Sequence, residues 1–153
     1  MHEVRTYTIS TPFRLCAPCG AERKPQKGIT AEMAIYHLSM KIISRNSGYS
    51  AVASAAYRSG SLMLDERTGL THDYTRKSGV AEAVILTPAT APAWCTNRAE
   101  LWNAVEKAER RKNSQLAREI ELAIPRELPQ DAARETVLAF VRENFVSQGM
   151  IAD

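Results

Sequence analysis

The chain has 153 residues, of which 44% are hydrophobic, and a formal net charge of +3. This length and apolar content are typical of one globular domain with its own core. No run approaches the ~18 apolar residues of a membrane span, and the amino terminus lacks the apolar core of a secretory signal, so we expect a cytoplasmic protein that binds no membrane.

Residues 1–32 differ in composition from the rest of the chain. Proline and glycine recur and no hydrophobic period persists, so we expect a disordered extension ahead of a folded domain at residues 33–153. Cys16 and Cys19 form a C-x-x-C pair in the extension. A structural zinc site needs four ligands, and a second pair at ligand spacing is missing, so the role of these cysteines stays open.

Residues 34–60 predict a strand, a polar turn and a short helix. Residues 34–43 are mostly β-branched, aromatic or apolar over the length of a strand. Ser50 is a favourable N-cap, the residues after it are small and compatible with a helix, and Gly60 lies where a helix would end in the left-handed conformation. Tyr57 therefore falls in the last turn of this helix.

Tyr57 is the candidate nucleophile. A phenolate attacks a phosphodiester and gives a stable phosphotyrosyl intermediate, but a free phenol titrates near ~10 and needs a base or a positive field at neutral pH. Arg45 and Arg58 flank Tyr57 in the sequence and are candidate contacts to a DNA backbone. The alternative is a core tyrosine whose hydroxyl reaches the surface.

The strand before Tyr57 offers two further candidate contacts to DNA. By the strand period of two, His37 and Lys41 share one face, and either could contact the DNA backbone. His37 is equally explained as a histidine at the edge of the core. Residues 33–80 hold six Lys or Arg against three acids, which is compatible with phosphate contacts.

The remaining sequence predicts further strands and helices. In chain order they are a hairpin or loop around residues 65–69, a strand at 80–86, a helix starting at Asn97, a strand at 116–125, a helix from Pro129 towards Gly149 and the start of a strand at 150–153. This order predicts an α+β fold, with an antiparallel or mixed sheet and helices packed mainly on one face.

Two carboxylates share one face of the strand predicted at residues 116–125. Glu119 and Glu121 alternate with Ile120 and Leu122, which predicts a polar face and a core face. On a solvent face the pair would be unremarkable, whereas beside a nucleophile either one is a candidate general base or a group that orders metal ligands. Carboxylates at this spacing also raise each other's pKa, which would help one of them to accept the tyrosine proton.

Two blocks of the sequence resemble one protein family. The first comprises residues 34–38, the Ser-Gly-x-Ser at 47–50 and the Ala-x-Tyr that ends at Tyr57, and the second is residues 118–125. Together they resemble the MobA/MobL family of plasmid-mobilisation relaxases, including the amino-terminal part of Ti-type TraA proteins. The resemblance implies that residues 33–153 form the amino-terminal part of a relaxase domain, with an incomplete relaxase-like sandwich fold.

The resemblance also implies a reaction and its partners. In this family the tyrosine that matches Tyr57 nicks one strand at the transfer origin and stays covalently attached to the DNA 5′ end. The implied partners are that single strand and accessory relaxosome proteins.

A divalent metal ion is also expected for the complete family domain, held by histidines on a later strand. This chain stops before any such motif, and no metal ligands are identifiable in it. We therefore expect either a relaxase fragment that is inactive without that metal site or a non-catalytic remnant that binds single-stranded DNA.

Overall fold

The computed structural model describes residues 4–12, 37–45, 48–125 and 127–153. In chain order their elements are β1 (Val4–Pro12), β2 (His37–Ser44), α1 (Ala51–Ser59), β3 (Leu62–Asp65), β4 (Leu70–Asp73), α2 (Arg98–Ala108), β5 (Gln115–Pro125) and α3 (Gln130–Asn144), with 3₁₀ turns at Ala93–Thr96 and Val146–Gln148. None of the helices in these ranges is long and apolar enough to cross a membrane.

β5 is the middle strand of a three-stranded antiparallel sheet with the order β1-β5-β2. The register places Ser10 of β1 and Lys41 of β2 opposite Glu119, and Ser39 opposite Glu121. Because residues that lie opposite each other in a sheet share a face, these five side chains belong to one face. We call it the polar face.

Helix α1 begins and ends where the sequence predicts. The Ser50 hydroxyl accepts a hydrogen bond from the backbone N–H of Ala53 at 3.3 Å, and Gly60 ends the helix with a φ of 61°. One side of α1 is made of small residues, and this side is buried against the sheet and α2; it comprises Ala51, Val52, Ala55 and Ala56. Small residues let the helix approach its neighbours closely, which fixes where its last turn lies.

Helix α2 packs beside α1 and contributes the buried Trp102 to the same core cluster. It also fixes the last residue of the chain. The Asp153 carboxylate accepts hydrogen bonds from the Trp102 indole N–H at 2.8 Å and from the Arg98 guanidinium at 2.6 Å. The Asp153 backbone in turn exchanges two hydrogen bonds with Ser10 of β1, at 2.8 and 2.9 Å. These contacts connect the α2 layer to the edge of the sheet.

Helix α3 packs against the apolar residues of β5, which alternate with Glu119 and Glu121. Its core cluster with the strands comprises Ile9, Ile120, Leu122, Ile124, Ala133, Val137, Val141 and Ala152. Among the described residues, helices α1 and α2 thus pack on the same side of the sheet as the polar face, and helix α3 packs on the opposite side. The α+β class with antiparallel strands is confirmed.

The amino-terminal strand differs from the sequence prediction. Residues 4–12 pair with β5 along the whole register from Val4↔Pro125 to Pro12↔Ala117, so the prediction of a disordered extension is wrong for these residues. β-branched residues recur in this stretch, and the Pro and Gly that suggested disorder begin only at Pro12. The other residues of 1–32, including Cys16 and Cys19, lie outside the described residues.

The strand predicted at residues 80–86 is also corrected. Only Leu86 pairs, through an isolated bridge to Ala152, and residues 80–85 belong to no strand or helix. The short C-terminal piece lies between Leu86 and β1, since Ala152 bonds to Leu86 and Asp153 to Ser10. The strand predicted at 150–153 is thus reduced to these two pairings, while the hairpin around residues 65–69 is confirmed as β3 and β4.

Candidate active site

Tyr57 lies in the last turn of α1 with 45% of its surface exposed. The residues before it, Ala55 and Ala56, are buried, so the helix directs Tyr57 away from the core. Gly60 follows in the left-handed conformation, and an added Cβ there would lie 3.4 Å from a Val80 methyl group. Within the described ranges, the Tyr57 hydroxyl has no hydrogen-bond partner, so it is available to a ligand.

Two side chains from one loop contact the Tyr57 ring. The Lys77 ammonium lies 3.7 Å from the ring centroid and donates a hydrogen bond to the Tyr57 carbonyl at 2.8 Å. The Tyr74 ring meets Tyr57 edge to face, with 5.3 Å between centroids and an interplanar angle of 87°. Sequence reasoning missed both residues, because their segment has no periodic pattern and the contacts join distant parts of the chain.

Arg58 connects the end of α1 to the polar face of the sheet. Its guanidinium pairs with the Glu119 carboxylate, whose side chain is only 5% exposed. A buried, ionised carboxylate is stable only when a partner of opposite charge binds it. Arg58 supplies that positive charge and is itself partly exposed. Consecutive residues of α1, Tyr57 and Arg58, thus place Tyr57 next to the residue that binds Glu119.

Glu121 lies one pair further along β5 and has different partners. Ser39 donates a hydrogen bond to it at 3.1 Å, and Lys41 donates another at 3.2 Å. The hydrogen bond from Lys41 is the main reason why the pKa of Glu121 lies below its ordinary value, and the bond from Ser39 acts in the same direction. The expected upward shift from a neighbouring carboxylate is therefore wrong for Glu121.

The other two predicted DNA contacts lie in different surroundings. His37 is exposed at the start of β2, opposite Ala123. The Arg45 side chain is 15% exposed and donates hydrogen bonds to the Glu106 carboxylate at 2.6 Å and to the Glu109 carbonyl at 2.5 Å. Arg45 thus binds the C-terminal end of α2, and the structure gives it protein partners in place of the phosphates that the sequence suggested.

A buried network at the N-terminal end of α1 was not predicted. Glu106 of α2, with a side chain 1% exposed, accepts hydrogen bonds from the Ala51 backbone N–H at 2.7 Å and from Arg67 at 3.1 Å, in addition to Arg45. A carboxylate at a helix N-terminus satisfies an unpaired N–H and complements the helix dipole. In the sequence Glu106 is one of several charges on an amphipathic helix, and nothing local marks it as buried.

A groove of about 690 Å³ lies beside Arg58 and Lys77. Its walls come from the end of α1, the segment 79–84, the edge of β1 and helix α3. Arg134 lies further along the groove and is bound by Glu82 through two hydrogen bonds, at 2.5 and 2.7 Å. Among the described lining residues, Arg58 and Arg134 are thus both paired with carboxylates, and Lys77, at the end nearest Tyr57, is the cation without an ion pair.

The resemblance to relaxases implies a divalent metal ion, and the donor groups can be compared with that expectation. Within the residues that the structure describes, no group of three or more His, Cys, Asp or Glu side chains is arranged to hold a metal ion. Glu119 and Glu121 are occupied by Arg58 and Lys41, respectively. These residues do not fit a metal site by themselves.

Comparison with known proteins identifies the relatives of this chain. It is 46% identical over 121 residues to the mobilization protein MobL of Acidithiobacillus ferridurans, covering 79% of this chain and 31% of MobL. It is 40% identical over 131 residues to the conjugal transfer protein TraA of Agrobacterium fabrum, covering 79% of this chain and 12% of TraA. The chain thus spans less than a third of the length of either relative.

A solved structure from work on the molecular basis of vancomycin resistance transfer in Staphylococcus aureus has a similar fold. It superposes with a TM-score of 0.69 at 35% identity, over 72% of this chain and 56% of that one. The model of the MobA/MobL family matches residues 49–153, a range that includes Tyr57, Lys77 and both carboxylates of β5. This chain belongs to the MobA/MobL family.

Proposed function

We propose that this chain is the amino-terminal part of a DNA relaxase for conjugative plasmid transfer, and that Tyr57 is its nucleophile. The observation that supports this most directly is the position of Tyr57, half exposed at the end of α1, with Lys77 against its ring and the Arg58–Glu119 pair beside it. Membership of a family of mobilisation proteins supports DNA at the transfer origin as the substrate.

The proposed reaction is a transesterification at one phosphodiester of a single strand. The Tyr57 oxygen forms a bond to phosphorus, and the bond from phosphorus to the 3′ oxygen breaks. The DNA 5′ end is left as a phosphotyrosyl ester and the other product ends in a 3′ hydroxyl, so the number of phosphodiester bonds is conserved.

Each proton in this reaction needs a group to receive or supply it. We assign Glu119 as the acceptor of the phenol proton, since its partner Arg58 directly follows Tyr57, and solvent water as the donor of the proton that completes the 3′ hydroxyl. Glu121 accepts hydrogen bonds from Ser39 and Lys41, which lower its pKa, and its proposed role is to order these two side chains on the polar face. A divalent ion in the complete domain would stabilise the charge that develops on the phosphate, but the described residues do not form its site, and no step here depends on it.

The chemistry of the surface near Tyr57 suits a single strand of DNA. Lys77 supplies positive charge at one end of the groove, next to the Arg58–Glu119 pair, and the rings of Tyr57 and Tyr74 supply apolar surface beside it. Lys41 and His37 are exposed on β2, where they are the proposed contacts to the flanking backbone. The proposed site of action is the cytoplasm, with accessory relaxosome proteins as further partners.

The experiment that tests this proposal is a labelled-oligonucleotide nicking assay read on denaturing gels. The chain alone should nick poorly or not at all. A chimera in which it replaces the matching part of A. ferridurans MobL should form a covalent adduct on single strands from that protein's transfer region, in the presence of a divalent cation.

In the chimera, Tyr57→Phe removes only the hydroxyl and should abolish the adduct while DNA binding persists. Tyr49→Phe is the matched control, because Tyr49 is also exposed and lies before α1. An adduct that survives Tyr57→Phe would show that another residue is the nucleophile. A chimera that binds single strands but forms no adduct, when intact MobL forms one, would instead favour a non-catalytic DNA-binding module.

A further inference from the structure

The loop that contacts Tyr57 is itself held by hydrogen bonds. The Asp73 carboxylate accepts from the Thr75 backbone N–H at 3.0 Å and from the Thr75 hydroxyl at 2.7 Å, and these bonds lower the pKa of Asp73. The Lys77 backbone N–H bonds to the Tyr74 carbonyl at 2.9 Å, and Tyr74 N–H bonds to the Ser61 carbonyl at 3.2 Å. Tyr74 and Lys77 are therefore presented together by one ordered turn.

This turn contacts Tyr57 in three ways. Tyr74 meets the ring edge to face, the Lys77 ammonium lies against the ring at 3.7 Å from its centroid, and the same ammonium binds the Tyr57 carbonyl at 2.8 Å. A cation against an aromatic ring and an edge-to-face ring pair are each attractive. Together they restrict a side chain that, at 45% exposure, would otherwise exchange between rotamers.

No carboxylate of the described residues forms an ion pair with Lys77. Among the residues that the structure describes, its ammonium has the Tyr57 ring and the Tyr57 carbonyl as partners and no ion pair. An ammonium has three donors, so Lys77 can keep its contacts to Tyr57 and still donate to a phosphate that approaches the phenol. An ordinary solvated lysine would not combine these contacts.

We propose that Lys77 is a positioning residue for Tyr57: it clamps the ring in one rotamer so that the hydroxyl is aimed at the scissile phosphate. The importance of this clamp for the reaction rests on the proposed role of Tyr57 as nucleophile. The clamp increases the reaction rate through orientation, because a reacting group that is held in one geometry does not have to be ordered in each turnover.

The clamp itself is tested by NMR on the 153-residue chain, without DNA. The ε-methylene protons of Lys77 should be shifted upfield by the ring current of Tyr57, relative to those of the exposed Lys112. The shift should persist in Tyr57→Phe, which keeps the ring, and vanish in Tyr57→Leu. Couplings of Tyr57 should report one χ1 rotamer in the wild type and an average in Lys77→Met.

Two further variants separate the clamp from a general effect on folding. Lys77→Arg should restore the single rotamer, and Arg76→Met, one residue away, should leave it unchanged; backbone amide spectra establish that each variant is folded. Unshifted Lys77 protons, or an unchanged Tyr57 rotamer in folded Lys77→Met, would overturn the proposal.

The same substitutions in the nicking assay connect the clamp to the reaction. Lys77→Met should slow adduct formation about tenfold at saturating DNA, where a weaker phosphate contact no longer limits binding, and Lys77→Arg should recover most of this rate. If the rotamer responds while Tyr57→Phe still forms the adduct, the clamp stands and the nucleophile assignment fails. If Tyr57→Phe abolishes the adduct and the rotamer ignores Lys77, the positioning role fails.

Discussion

The two ends of helix α1 differ in almost every physical property. At the N-terminal end, the Ala51 N–H binds a Glu106 carboxylate that is 1% exposed and paired with two arginines. At the C-terminal end, Tyr57 is 45% exposed and its hydroxyl has no partner within the described residues. One end is closed by charged hydrogen bonds, and the other presents an exposed phenol near a groove.

The two ends of this nine-residue helix therefore have different roles: the N-terminal end fixes the position of the helix, and the C-terminal end presents Tyr57. The buried network at the first turn and the small residues behind it fix the helix axis, so the direction of the last turn is set without using Tyr57 itself. Substitutions at the N-terminal end should therefore change stability, and substitutions at the C-terminal end should change chemistry.

The largest stability effect is expected for Glu106→Ala. Removing this carboxylate leaves Arg45 partly buried without its main partner and the Ala51 N–H unsatisfied, so we expect a loss of about 3–5 kcal/mol in the free energy of unfolding. Urea unfolding followed by circular dichroism measures it. Glu143→Ala, on the exposed side of α3, is the matched control and should cost less than ~0.5 kcal/mol. Equal losses in the two variants would contradict the closed network.

The sequence predicted those features of the two ends that depend on local interactions. Ser50 and Gly60 are local signals, so the bounds of α1 and the place of Tyr57 followed from the chain itself. The strict alternation around Glu119 likewise predicted a strand with two faces. These features depend on neighbours within a few residues.

The contacts that define each end depend on residues far apart in the chain. Glu106 binds Ala51 across 55 positions, and Lys77 binds Tyr57 across 20. Neither residue differs in sequence from an ordinary surface charge, so only the packing of α2 and of the loop after β4 reveals its partner. The lowered pKa of Glu121 was missed for the same reason, since Lys41 lies on another strand.

Arg45 and Lys41 were both predicted to contact DNA, but they should contribute differently to the free energy of unfolding. Arg45→Ala should lower the free energy of unfolding by about 2–3 kcal/mol, because its guanidinium bonds to Glu106 and to two carbonyls of α2. Lys41→Ala should cost less than ~1 kcal/mol, since the Lys41 side chain is largely exposed to solvent.

The DNA affinities of the same two variants should differ in the opposite sense. Titration of a labelled single strand at several salt concentrations should show that Lys41→Ala reduces the salt slope by about 1, as expected for one lost phosphate contact. Folded Arg45→Ala should leave the slope unchanged. A reduced slope for Arg45→Ala together with an unchanged one for Lys41→Ala would reverse this assignment.

A further prediction concerns the acid sensitivity that Asp65 contributes at the N-terminal end of α1. Asp65 is fully buried next to Ser50, and although burial raises its pKa, hydrogen bonds from Ser50, Thr68 and Arg67 outweigh this and lower it overall. A carboxylate with a lowered folded-state pKa stabilises the protein above its unfolded-state pKa, here ~4, and this contribution disappears as the pH falls through the folded-state value. Asp65→Asn should therefore lose about 1–2 kcal/mol at pH 7 and show a weaker decline in melting temperature below about pH 4 than the wild type. Thermal melts between pH 2 and 7 measure both effects, with Asp131→Asn on the exposed first turn of α3 as the control that should follow the wild-type curve. If Asp65→Asn declines as steeply as the wild type below pH 4, the acid sensitivity arises elsewhere, and Glu121, whose pKa is also lowered, is the next carboxylate to replace.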